Sequence, residues 1–168
     1  MSIDVISADR GMIRFVLDHL RELDAVEMAA CDVDFERMPD QIMRARVFAF
    51  CAYDFHDGPH AIWGMIQRRT HVGAGFAFGT DGWGKAATSI VRNIRRFVVP
   101  FLLEGDYHRV EALALAHRND VARFMALIGA QPEAVLRGYG VNGEDFISYR
   151  WLADEHRSTR AEDQHTAH

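Results

Sequence analysis

A glycine-rich turn, Gly79-Thr-Asp-Gly82-Trp-Gly84, follows an apolar run, Gly73-Ala-Gly-Phe76-Ala-Phe78, and leads into a long amphipathic segment. A strand-to-helix turn of this composition exposes backbone N–H groups at a helix N-terminus, where the phosphates of an anionic cofactor can sit. The candidate cofactor-binding residues are therefore Phe76, Phe78, Gly79, Thr80, Asp81, Gly82, Trp83, Gly84 and Lys85. Trp83 also falls on the apolar stripe that follows, so its spacing favours a core anchor over a ligand contact. Lys85, Arg92 and Arg96 recur at steps of seven and four and form a basic strip on the opposite face. Such a strip is ordinarily a solvated face; its sharper use is contact with cofactor phosphate, an acidic partner or DNA.

Other chemistries find less support. His56 and His60 are four apart, but Asp57-Gly-Pro59 between them bars the helix that would align both on a metal, and no structural metal is expected. A serine-hydrolase elbow of the Gly-x-Ser-x-Gly type is absent, and Ser89 falls inside a helix.

These residues need a scaffold, and the bulk numbers bound it. A chain of 168 residues, 49% hydrophobic and 26% charged, is expected to fold as a single domain over 1–152. Residues 153–168 carry no large apolar side chain and read as a flexible polar tail. A net charge of −5 makes nucleic acid an unfavoured partner. Cys31 and Cys51 form no CxxC pattern, and no leader is legible, so a reducing, cytoplasmic setting is expected. No apolar stretch nears the roughly 20 residues a membrane helix needs, because Phe97-Val-Val-Pro-Phe-Leu-Leu103 is short and proline-broken.

Ile3–Ile6 reads as a first strand, and Asp9 as the cap of a helix with Met12, Ile13, Val16, Leu17 and Leu20 inward. Asp24-Ala-Val-Glu27 has capping-box spacing and predicts a second short helix, ended by Asp32 to Pro39. Val47–Tyr53 and His60–Ile66 form a hairpin across Asp57-Gly58, and Gly73–Gly79 is strand four. Its small residues alternate with Phe76 and Phe78, which leaves one face thin enough for a ligand to approach. Trp83, Ala86, Ala87, Ile90, Val91, Ile94, Phe97, Val98, Phe101 and Leu102 make a continuous helical stripe, kinked at Pro100. Arg109–Leu115 is strand five, Asn119–Ile128 a helix closed by Gly129, and Ala134–Tyr139 with Phe146–Leu152 a final hairpin.

This order, with a glycine turn after strand four and a glycine-ended helix before the last hairpin, resembles the GNAT superfamily of acyl-CoA N-acyltransferases over residues 3–152. The resemblance implies an α/β fold with a mixed, mainly antiparallel twisted sheet of about seven strands and flanking helices. It also implies acetyl-CoA or another acyl-CoA as co-substrate and an amine as acceptor. In detail, Phe78–Trp83, the helix with Arg92, Arg95 and Arg96, and Arg123–Ala130 look like GNAT-like phage proteins such as the internal virion protein A group. That likeness implies an alternative, a non-catalytic virion or accessory protein with other virion proteins as partners.

The family's phosphate turn opens on Gln or Arg, whereas this chain has Gly79. The family's usual acid is a tyrosine four residues before the helix-ending glycine; that position is Met125, which has no proton to give. A general base is expected near strands four and five, where Glu111 and His117 are candidates. Glu27 resembles the acidic residue that lines the acceptor side in many members, although its capping-box spacing already accounts for it.

Overall fold

The computed structural model describes residues 3–157. Asp9 accepts the Met12 N–H at 2.8 Å and starts α1 (Arg10–Asp18), which buries Ile13, Val16 and Leu17 as its spacing requires. Next comes α2 (Glu22–Ala30), whose N-cap is Arg21. Asp24 and Glu27 therefore lie inside the helix rather than forming the expected capping box. A third helix, α3 (Met38–Ala45), follows where the sequence signalled only a helix end. Pro39 sits in its first turn, where the missing N–H costs nothing.

The strands are β1 (Asp4–Ser7), β2 (Arg46–Asp54), β3 (Gly58–Arg69), β4 (Val72–Gly79), β5 (Arg109–Leu115), β6 (Gln131–Leu136) and β7 (Phe146–Leu152). They form one seven-stranded sheet in the order β1-β2-β3-β4-β5-β7-β6. Every neighbouring pair is antiparallel except β4 and β5, which run parallel. The hairpin between β2 and β3 turns at Gly58, whose φ of +84° is the left-handed conformation glycine adopts without strain.

Strand alternation divides β4 as anticipated. Phe78 is buried among α1 and α3 residues, and the Phe76 ring covers Gly64, where a Cβ would lie 2.6 Å from Phe76 Cζ. Gly73, Gly75 and Ala77 alternate onto the other face, which is left thin.

That face is covered by α4 (Trp83–Asn93), a π-turn (Ile94–Val98), α5 (Val99–Glu104) and α6 (Asn119–Leu127). Ahead of Pro100 the helix widens instead of breaking, and the Val99 N–H reaches back five residues to the Ile94 carbonyl. The extra residue rotates the apolar stripe. Val98 and Leu102 stay buried, whereas Phe97 and Phe101 are 65% and 45% exposed, against a continuous 3.6-residue stripe. Gly129, at φ +80°, closes α6.

Part of the expected tail is docked. Residues 153–157 are helical, Ala153 is buried, and the His156 ring stacks on Trp151 at 4.8 Å. The rest of that segment, 158–168, lies outside the described residues. Cys31 and Cys51 are both unbonded, and burial pushes the Cys51 thiol up to about 12. Among the described residues, no helix is long and apolar enough to cross a membrane.

Candidate functional site

Parallel β4 and β5 pair over only three residues, Val72–Ala74 with Arg109–Glu111. Beyond that junction the strands separate, and backbone N–H groups that would have laddered need other acceptors. Helix α2 supplies them. Asp24 Oδ2 accepts the Gly79 N–H at 2.8 Å, and Glu27 Oε2 accepts the Leu115 N–H at 2.9 Å. One helix thus holds the open ends of both strands.

Asp24 is buried and Glu27 half-buried, so the two carboxyl groups require a counter-charge, and Arg118 provides it from the turn after β5. Its side chain is 1% exposed and contacts Asp24 at 3.0 Å, Glu27 at 3.5 Å and Asp120 at 2.7 Å. Arg21 adds a second cation, 2.9 Å from Asp24 and 4.6 Å from the Trp83 ring centroid. Desolvation raises the Glu27 pKa despite the Leu115 N–H and Arg118. The hydrogen bond from Arg118 lowers that of Asp120.

Between the separated strands lies a cavity of about 150 Å³, whose walls include Gly75, Ala77, Glu27, Glu111, Met125 and Tyr149. Of the candidates named from sequence, Phe76, Trp83, Glu27 and Glu111 line it, whereas Phe78 and His117 do not. His117 is exposed on the turn before α6. Glu111 is held by Arg109 at 2.7 Å. Tyr149 is 3% exposed and contributes the one hydroxyl side chain of the wall among the described residues. Burial, and then the charge of Glu27, raises its pKa.

The glycine turn is more self-contained than its composition suggested. Gly82 donates to Thr80 Oγ1 at 3.1 Å, Trp83 to the Thr80 carbonyl at 2.9 Å and Lys85 to the Gly82 carbonyl at 3.0 Å. Of the amides of residues 82–85, only that of Gly84 has no acceptor among the described residues, and open space surrounds Gly84. Gly82 is required by the His60 ring, which occupies the place of a Cβ there. Lys85 pairs with Asp57 at 2.9 Å instead of facing the turn. Asp54, Asp57 and His60 converge within 4.8 Å, and the Lys85 ammonium is the cation beside them.

Trp83 explains the altered first position of the turn. It lies over Gly79, where a Cβ would come 2.7 Å from Trp83 Cε3 and 2.9 Å from the His60 carbonyl. The same ring meets Phe124 edge-on at 5.6 Å. Both aromatics line the cavity and also a groove between α4 and α6 that carries Arg92, Arg95, Arg96 and Arg123. Arg95 is fixed there by its bond to the Leu127 carbonyl at 2.8 Å.

No family model matches the chain, and no curated protein matches it by sequence. Solved structures do. Spermidine N-acetyltransferase from Vibrio cholerae in complex with CoA and spermine aligns with a TM-score of 0.66 at 13% identity, over 90% of this chain and 96% of that one. The chain has the GNAT fold. A GNAT superfamily phosphinothricin acetyltransferase from Sinorhizobium meliloti, in complex with AcCoA, aligns with a TM-score of 0.70 at 11% identity, over 90% and 89%. A structure described as a putative acetyltransferase covers 99% of this chain with a TM-score of 0.69 at 12% identity. These matches give no support to the likeness to phage internal virion proteins.

Sequence reasoning missed Arg21, Asp24, Arg118, Arg123 and Tyr149. Alternation along Phe146–Leu152 does place Tyr149 and Trp151 on one face. The burial of Arg118 left no such trace, because arginine is ordinarily exposed.

Two predictions follow from this geometry. Gly79→Gln should cost about 1–3 kcal/mol by overpacking against Trp83, and much of that cost should vanish in a Trp83→Ala background when both pairs are unfolded by denaturant. Arg118→Met should cost about 3–5 kcal/mol near neutral pH, because it removes the buried cation that bridges Asp24, Glu27 and Asp120 and leaves Glu27 without a counter-charge. In the native protein the contribution of Asp120, with its lowered pKa, is complete at neutral pH and is lost as pH falls below about 4. Urea titrations across that range should show a smaller acid loss in Arg118→Met than in the parent chain, the remainder coming from carboxylates such as Asp40 and Glu133 that keep their own arginine partners.

Proposed function

We propose that the protein is an acyl-CoA-dependent N-acyltransferase. The observation that carries this reading is the parting of β4 and β5 after three paired residues, around a cavity that an extended thioester arm can enter. The fold shared with acetyltransferases solved with CoA or AcCoA supports it. The phosphates are assigned to the Gly84 N–H and to the arginine groove of Arg92, Arg95, Arg96 and Arg123, in place of the fuller amide cradle of residues 79–85. From there the cofactor arm passes Trp83 and Phe124, which border both spaces.

The acceptor amine approaches the ionic end of the cavity, beside Glu27. Glu27 is assigned as general base. Its raised pKa suits proton uptake, and its Oε1, unlike Oε2, takes no hydrogen bond from the described residues. The amine nitrogen attacks the thioester carbonyl carbon, the C–N bond forms while Glu27 takes a proton, and the C–S bond then breaks. Tyr149 is assigned to protonate the departing sulfur, the task for which Met125 lacks a proton. Tyr149 pairs with Ala112, one residue beyond the β4–β5 junction, where the opening begins.

Calorimetric titration with CoA should show binding. Arg96→Glu with Arg123→Glu should weaken it at least about tenfold, since each reversal replaces a phosphate attraction by a repulsion. Absence of CoA binding at millimolar concentration refutes the reading and leaves the fold as an interaction module. Thiol release with a panel of primary amines and polyamines then tests turnover. Tyr149→Phe should lower kcat about a hundredfold or more with CoA affinity kept; unchanged kcat removes Tyr149 from the mechanism.

A further inference from the structure

The cavity is chemically two-ended. Beneath Gly79 and Leu115 its wall is ionic, built from Arg21, Asp24, Glu27 and Arg118. Toward and beneath the β4–β5 junction the wall is apolar apart from Glu111, which is paired with Arg109, and is built from Met65, Val98, Leu102, Val110, Ala130 and Trp151. Register fixes which end is which: Met65 lies opposite Gly75 and Trp151 opposite Val110, both at the junction.

The apolar end is open because of two local features. The first is Gly75. At Gly64, Gly73 and Gly79 a Cβ would collide with a neighbour, but at Gly75 the nearest atom would be Val110 Cγ1 at 3.7 Å, an ordinary contact. Its φ is not in the positive range that favours glycine. Neither backbone conformation nor crowding requires glycine at 75; what its absent side chain leaves is room. The second is the π-turn, which brings Val98 and Val99 onto the cavity wall while Phe97 turns outward. A π-turn of this kind is uncommon in helices and recurs at functional sites.

We infer that this apolar end is an acyl-chain site, and that the preferred donor carries an alkyl chain longer than acetyl. The inference rests on the proposed acyltransferase reading. With the phosphates at the arginine groove and the thioester at the start of the opening near Tyr149, the cofactor arm fills the direction toward the glycine turn. The acyl carbon chain is then directed to the junction end, where, apart from the Arg109-paired Glu111, it meets carbon and sulfur side chains. An acetyl group would leave the apolar end unfilled, whereas each added methylene moves its own surface from water onto a wall that is already buried.

The experiment is a chain-length series on the whole protein: free CoA, then acetyl-, butanoyl-, hexanoyl- and octanoyl-CoA by calorimetry, with kcat/KM for each thioester from thiol release. Burial of each methylene should tighten binding about threefold to fourfold until the site is full, with kcat/KM rising in parallel. Ala130→Leu, which narrows the far wall, should cut the octanoyl-to-acetyl affinity ratio at least about tenfold, the equivalent of losing two methylene contacts. Thermal melting checks that the variant folds, and Gly75→Val supplies a second obstruction if it does not. Free CoA and acetyl-CoA binding as tightly as octanoyl-CoA overturns the acyl site and leaves the acyltransferase reading intact. Failure of free CoA and every thioester to bind overturns both.

Discussion

Everything that matters in this molecule depends on how the sheet tolerates being opened. Parting two central strands exposes backbone donors that cannot remain unpaired in a buried setting, where each would cost about 1–3 kcal/mol. Asp24 and Glu27 meet that need from a single helix, one on each strand end. Their own burial then demands Arg118, and Arg118 in turn fixes the turn that starts α6. The chain of requirements runs from an unpaired amide to a carboxylate to a guanidinium. It explains why ionic groups of this kind lie deep in a chain of ordinary composition. Such clusters add little net stability compared with apolar packing, so their presence here marks a gap that has to be maintained.

The glycine turn and its tryptophan form a second linked pair. Trp83 fills the space that a side chain at position 79 would need, stacks under Arg21 and borders Phe124. Glycine at 79 and tryptophan at 83 are therefore a sterically matched pair. Where a side chain at 79 would stand, this chain has an aromatic wall, and four arginines line the groove beside it. The turn keeps its shape by internal hydrogen bonds, which use up the N–H groups of Gly82, Trp83 and Lys85.

Much of the fold was legible because it rests on local rules. Asp9 caps α1, Gly58 turns the first hairpin, Gly129 ends α6, and the alternation of Phe76 and Phe78 with small residues gave β4 its thin face. What failed did so for reasons that lie outside a local window. Asp24 and Glu27 match a capping box at their spacing, but their partners are 55 and 88 residues away. The apolar stripe after Trp83 has a constant period in the sequence, and the π-turn before Pro100 breaks that period, sending Phe97 and Phe101 outward. Residues 153–157 looked polar enough to be loose, yet Ala153 and the His156 ring dock on the sheet end. Tyr149 was visible as a strand residue, while its place beside an opening required the sheet order.

The staple formed by α2 also bears on how a guest would enter. Because both strand ends are tied to one short helix, the gap between them is set before any ligand arrives, and its width does not have to be chosen at the moment of binding. A ligand that is floppy in water would give up its own freedom on entry, while the host would give up little. The protein's share of the ordering entropy is thus spent during folding, on Arg118 and its carboxylates, and the same sites that resist collapse of the sheet lower the entropic barrier to occupancy.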